Sequence, residues 1–128
     1  MRTIEKQIVN YLRNSDFSSD STIFGKEKHL STRDCVEITN TQKSVFLWDS
    51  CIFTLDKEGN IRFSFCGYPT NTTKGRINAL LLAFSSCSAV TYHKNYTLFF
   101  SSSEGVFPID SDKIYTVKNG KPEEVESI

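Results

Sequence analysis

The sequence predicts an α+β fold, an antiparallel β-sheet packed against a central α-helix with a short N-terminal helix beside it. Three observations carry this expectation. Apolar residues recur at helical spacing in "TIEKQIVNYLRN" and again after Pro69, and runs rich in β-branched and aromatic residues fill much of the remainder. Gly, Asn and Pro then punctuate those runs at hairpin intervals. At 128 residues the chain is the size of one ordinary domain with room for a core, so residues 1–128 read as a single domain.

In the first helix Ile4, Ile8, Tyr11 and Leu12 share a face, leaving Glu5, Lys6 and Arg13 available to water. From Ser15 to Leu30, "SDFSSDSTIFGKEKHL" reads as an irregular connection that Phe17, Ile23 and Phe24 can pin to the body, and which can serve as a lid. "RDCVEIT" and "SVFLWDSCIFTLD" are strand-like, and "KEGN" supplies a turn before "IRFSFCG". In that last segment Ile61, Phe63 and Phe65 alternate with more polar residues.

Gly67 and Pro69 end the strand, and Thr70 or Thr72 can cap the helix that follows. Ile77, Leu80, Leu81 and Phe84 give this central helix its packing face, and Leu82 suggests a second buried contact. "AVTYHKNYTLFFS" reads as a hairpin through "HKN". It precedes "GVFPID", where Pro108 suggests a sheet edge, and "KIYTVKNGKPEEVES", where "KNG" marks a turn. The acidic ending, residues 121–128, reads as loosely attached.

Fifteen basic residues balance fifteen acidic ones, so no global field favours nucleic acid or an anionic membrane, and any basic site is local. No apolar run approaches the ~20 residues of a membrane span, and the N-terminal stretch is unlike a secretory signal, so a cytoplasmic protein is expected. Cys35, Cys51, Cys66 and Cys87 are scattered singly and read as reduced thiols, while His29 and His93 stand far apart, so spacing alone indicates no metal site. The glycosylation patterns at Asn71 and Asn95 mean little without a secretory route.

The start of the central helix departs from ordinary design. Free N–H groups give a helix N-terminus partial positive charge, so acidic residues are favoured there, yet Lys74 and Arg76 stand in their place. With the hydroxyls of Thr70, Thr72 and Thr73, the small Gly75 and the free N–H groups, the two cations would form an anion site able to hold phosphate. Arg76→Ala or Lys74→Ala would then abolish nucleotide binding with little change in melting temperature. The alternative stays open that Arg76 pairs with Asp49, Asp56 or Glu58 and that Lys74 is simply solvated. There is no Walker loop and no G-x-G-x-x-G.

"IRFSFCGYPTNTTKGRINALL" resembles a group of small phage-encoded proteins in which a strand ends in glycine plus an aromatic residue before a Thr-Thr-cation-x-Arg-x-Asn helix start. The matching positions are Gly67, Tyr68, Thr70, Thr72, Thr73, Lys74, Arg76 and Asn78, within residues 44–84. The resemblance implies a phage origin and, for a small protein outside virion and replication roles, a counter-defence function. It could be a sponge for a nucleotide immune signal, as anti-Thoeris and anti-CBASS proteins are, or an anti-CRISPR that occludes an effector. A sponge needs phosphate donors and aromatic platforms for bases. Tyr68 is the first stacking candidate, followed by Trp48, Tyr92 and Phe84.

The ligand-binding residues expected are therefore Tyr68, Thr70, Thr72, Thr73, Lys74, Arg76 and Asn78, with no catalytic residue, no metal and no cofactor. The partner expected is a nucleotide-type small molecule or a host defence protein, met in the bacterial cytoplasm, and a homo-oligomer is compatible with this. Ser85, Ser86 and Ser88 with His93 and Asp110, or Cys87 with His93, supply triad residue types but no nucleophile elbow, so no enzyme is expected. A nucleic-acid module would use Lys74, Arg76 and Arg62, against the neutral charge balance. A protein-binding inhibitor could present Asp16, Asp20, Glu123, Glu124 and Glu126 to a basic channel.

Overall fold

Two helices and ten strands arise from these patterns in a computed structural model that describes residues 1–19 and 26–128. Helix α1 spans Thr3–Asn14 and α2 spans Asn71–Phe84. The strands are β1 (Lys26–His29), β2 (Asp34–Ile38), β3 (Gln42–Leu47), β4 (Ser50–Asp56), β5 (Ile61–Ser64), β6 (Val90–Lys94), β7 (Thr97–Ser102), β8 (Gly105–Ile109), β9 (Ile114–Lys118) and β10 (Lys121–Val125). They form a seven-stranded antiparallel sheet in the order β1-β2-β3-β4-β5-β9-β10 and a three-stranded one in the order β6-β7-β8. The α+β architecture predicted from the sequence is the one observed, with the strands divided between two sheets.

The alternation in β5 buries Ile61, Phe63 and the following Phe65. Phe63 stacks on Phe100 of β7 at 6.0 Å and tilts against Tyr115 of β9 at 5.8 Å, so one ring joins the two sheets. Ile77, Leu80 and Leu81 of α2 complete the core, and α2 lies against α1, β4 and β6. Phe84 tilts against Phe53 of β4. Pro108 lies on β8, an edge strand, where a missing N–H costs no ladder bond.

Several expectations need correction. Leu82 is 65% exposed and makes no second core contact. Glu5, expected at the surface, is buried. The expected loop over residues 15–30 contains the edge strand β1, a run of charged residues with no apolar alternation to announce it. Ile23, Phe24 and Asp20, given roles as pins or acidic decoys, lie outside the described residues. The acidic ending is not loosely attached over Lys121–Val125, which pairs with β9 as the opposite edge of the large sheet.

Two local devices shape the rim of the sheet. "SVFLWDSCIFTLD" folds back on itself at Trp48 and Asp49, both in the left-handed region at φ 49° and 66°. Such a turn usually takes Asn, Asp or Gly, so Trp48 is the unusual member. A register shift beside Val45 then places an extra residue, Ile52, on β4, so Ile52 and Phe53 are buried consecutively. At the far end of α1, the Lys43 ammonium donates to the carbonyls of Leu12 and Ser15, closing the helix terminus. Burial holds that ammonium below its ordinary pKa, with Asp16 pulling the other way.

Candidate functional site

Thr70 caps α2, its hydroxyl accepting the Thr73 N–H at 3.2 Å. One and a half turns on, Arg76 points inward, its side chain wholly excluded from solvent. Its Nε and Nη2 donate to the two oxygens of Asp34 at 2.7 and 3.3 Å, a forked pairing, and its Nη1 donates to Glu5 Oε2 at 2.9 Å. The other Glu5 oxygen accepts the Arg2 backbone N–H at 3.0 Å, as a helix-capping glutamate does. Asp34 also accepts the Ser31 hydroxyl at 2.7 Å. Burial disfavours the guanidinium charge, but its hydrogen bonds and attraction to Asp34 and Glu5 outweigh that and raise the Arg76 pKa.

Arg76 is therefore not the exposed anion-binding cation expected, and its acidic partners are not Asp49, Asp56 or Glu58. It clamps α1, α2 and β2 together, with both carboxylates spent on it. Asn78 is likewise committed, its Oδ1 accepting the N–H and hydroxyl of Thr91 at 2.7 Å each and its Nδ2 donating to the Thr91 carbonyl at 3.0 Å. That side chain docks β6 onto α2, away from the helix start.

Gly75 makes the ion cluster possible. A Cβ there would stand 2.7 Å from Glu5 Oε2, an atom that Arg76 holds in place. Alanine is favoured over glycine inside a helix by about 1 kcal/mol, whereas displacing a buried charge-assisted bond costs about 1.5–3 kcal/mol. The second effect wins, and Gly75→Ala is expected to lower the urea midpoint of unfolding. A raised midpoint would mean that the carboxylate relocates freely.

Beside this clamp, a cleft of about 460 Å³ opens between α2 and the rim of the large sheet. Tyr68, Thr70, Thr72 and Thr73 line it from the helix side, and Arg33, Leu47, Trp48, Ser50, Ile52 and Phe65 from the sheet side. The volume lies in the range of small-molecule sites. Trp48 and Tyr68 are 66% and 63% exposed, an unusual state for the largest side chains of a small protein. The left-handed turn holds Trp48 at the rim, and the turn at Gly67, φ 77°, presents Tyr68. The N–H groups of Asn71 and Thr72 occupy the first helical positions, which have no intrahelical acceptor.

Arg33 supplies the cation of the cleft. Its side chain is 43% exposed and lies 3.8 Å from Asp34, at the outer end of the ion cluster. A profile for the Kyanoviridae Gp96 protein family matches residues 1–119. The chain belongs to this phage family. No curated protein and no solved structure matches it. The phage origin implied by the likeness over residues 44–84 thus holds, and every cleft residue falls within the matched span.

Of the predicted site residues, the structure brings Tyr68, Thr70, Thr72 and Thr73 together and leaves Lys74 half-buried outside the cleft lining. It directs Arg76 and Asn78 elsewhere. Trp48, read from the sequence as a secondary stacking candidate, lies opposite the helix start. Arg33 escaped sequence reasoning because a lone arginine before a strand resembles any surface cation. Among the described residues, no helix is long and apolar enough to cross a membrane.

Proposed function

We propose that the protein acts without catalysis as a phage anti-defence factor, sequestering a phosphate-bearing nucleotide immune signal of the cyclic-nucleotide or cyclic ADP-ribose type in this cleft. The observation that carries the reading is the pair of exposed rings, Trp48 and Tyr68, on one cleft with a guanidinium and a helix N-terminus. Bases stack on aromatic faces, and phosphate oxygens accept from Arg33 and from the Asn71 and Thr72 N–H groups. Thr70 and Thr72 hydroxyls add polar contacts at the same end.

The chain has one tryptophan, and it stands on the cleft, so its emission reports occupancy directly. Titration with cyclic di- and trinucleotides, cyclic ADP-ribose signals and inorganic phosphate is expected to give saturable quenching with one nucleotide class, confirmed by calorimetry. Arg33→Ala and Tyr68→Ala should each weaken that binding by about tenfold or more, equivalent to ~1.4 kcal/mol. Absence of quenching by every compound, or binding indifferent to both substitutions, would remove the cleft from consideration.

A second reading, inhibition of a defence effector by protein contact, draws on exposed Met1, Leu82 and Val90 along the α1–α2 side of the molecule. Capture of an effector that Leu82→Asp abolishes and Trp48→Ala spares would favour it.

A further inference from the structure

We propose that Glu27, His29 and Cys35 form a binding site for a divalent metal ion of the zinc type on the β1–β2 hairpin. Sequence spacing conceals this site, because the donors come together only through strand pairing. His29 stands opposite Cys35 and Glu27 opposite Glu37. Strand alternation places these four on one face, and turns Lys26 and Lys28 to the other with Ile38 and Val36. No residue of this group lines the nucleotide cleft.

A carboxylate oxygen of Glu27, a ring nitrogen of His29 and the Cys35 sulfur all lie within 4.8 Å of one another. The closest approach between Glu27 and His29 is 4.0 Å. Ligands of a tetrahedral zinc at about 2.0–2.3 Å stand roughly 3.3–3.8 Å apart, so closure needs a movement on the order of 1 Å. The side chains of His29 and Glu27 are 69% and 60% exposed and free to make it. A set of one sulfur, one nitrogen and one oxygen suits a borderline-soft ion and disfavours magnesium or calcium, which take oxygen ligands.

The surrounding charge points the same way. Glu27 and Glu37 face each other directly across the ribbon, an arrangement that destabilises a strand pair when nothing offsets it. Among the described residues, Glu37 forms no ion pair with a lysine or arginine. A bound cation would neutralise this excess. Binding exchanges the thiol proton for the metal, forming a Cys35 Sγ–metal bond and releasing one proton to solvent. Three protein ligands leave one tetrahedral position for water or Glu37. The ion would then fasten β1, an edge strand with all four residues exposed, to β2.

The test is titration of the full chain with Co²⁺ under a non-chelating reductant, followed by displacement with Zn²⁺. One equivalent should produce a thiolate-to-Co²⁺ charge-transfer absorption that Zn²⁺ abolishes. Cys35→Ser should remove that absorption, and His29→Ala should weaken binding by at least the roughly tenfold that loss of an outer-shell partner costs. Both variants should keep the metal-free melting temperature. No charge-transfer absorption, or one that survives in Cys35→Ser, would overturn the assignment.

Discussion

Arg76→Ala is expected to destabilise the protein by about 3–5 kcal/mol, the cost of leaving buried carboxylates without their counter-charge. Glu5 and Asp34 are 4% and 1% exposed, so water cannot replace the guanidinium. For a domain of this size the loss corresponds to a fall in melting temperature on the order of 10–20 °C, readable by circular dichroism. Arg76→Lys should recover little, since an ammonium cannot supply the fork to Asp34 and the separate bond to Glu5 together. Converting the whole cluster, with Glu5→Gln, Asp34→Asn and Arg76→Met in one chain, should recover part of the loss, because no buried charge is then unpaired while the new amides still lack the partner Arg76 supplied. An Arg76→Ala protein that melts like the parent would mean that solvent reaches the cluster.

The next largest effect belongs to Phe63→Ala, expected to cost about 3–5 kcal/mol for the removed ring and the cavity it leaves. Its consequence should be uneven. Phe63 meets Phe100 of the small sheet and Tyr115 of the large one, so its loss weakens the joint between them. Hydrogen exchange should show β6–β8 losing protection more than β2–β4. Equal loss everywhere would indicate that the two sheets open as one unit.

How much of this was legible in the sequence depended on whether the signal was local. Ile61, Phe63 and Phe65 announce a strand by alternation, and Thr70 announces its helix by capping chemistry that needs four consecutive residues. The Trp48–Asp49 turn was hidden because a bulky Trp rarely adopts the left-handed conformation that the turn requires of it. β1 and β10 were hidden because edge strands can be charged or contain proline, and only their neighbours define them. Arg76 shows the limit most clearly. Its oddity at a helix start was visible, but its partners lie 42 and 71 residues away and no local pattern names them. Both exposed rings of the cleft, Tyr68 and Trp48, were legible as aromatic candidates, while Arg33 joined them by tertiary folding alone.

Those same separations carry a consequence for the order of events during synthesis. Glu5 and Asp34 leave the ribosome 71 and 42 residues ahead of Arg76, and at about 5–20 residues per second they wait several seconds as solvated carboxylates. Contacts this distant in sequence close late, after their loop entropy has been met by nearer pairings. The hairpin of β3 and β4 can therefore form while the chain is still emerging, but α1 cannot be seated until α2 has been made, and the first helix of the chain is among the last to dock.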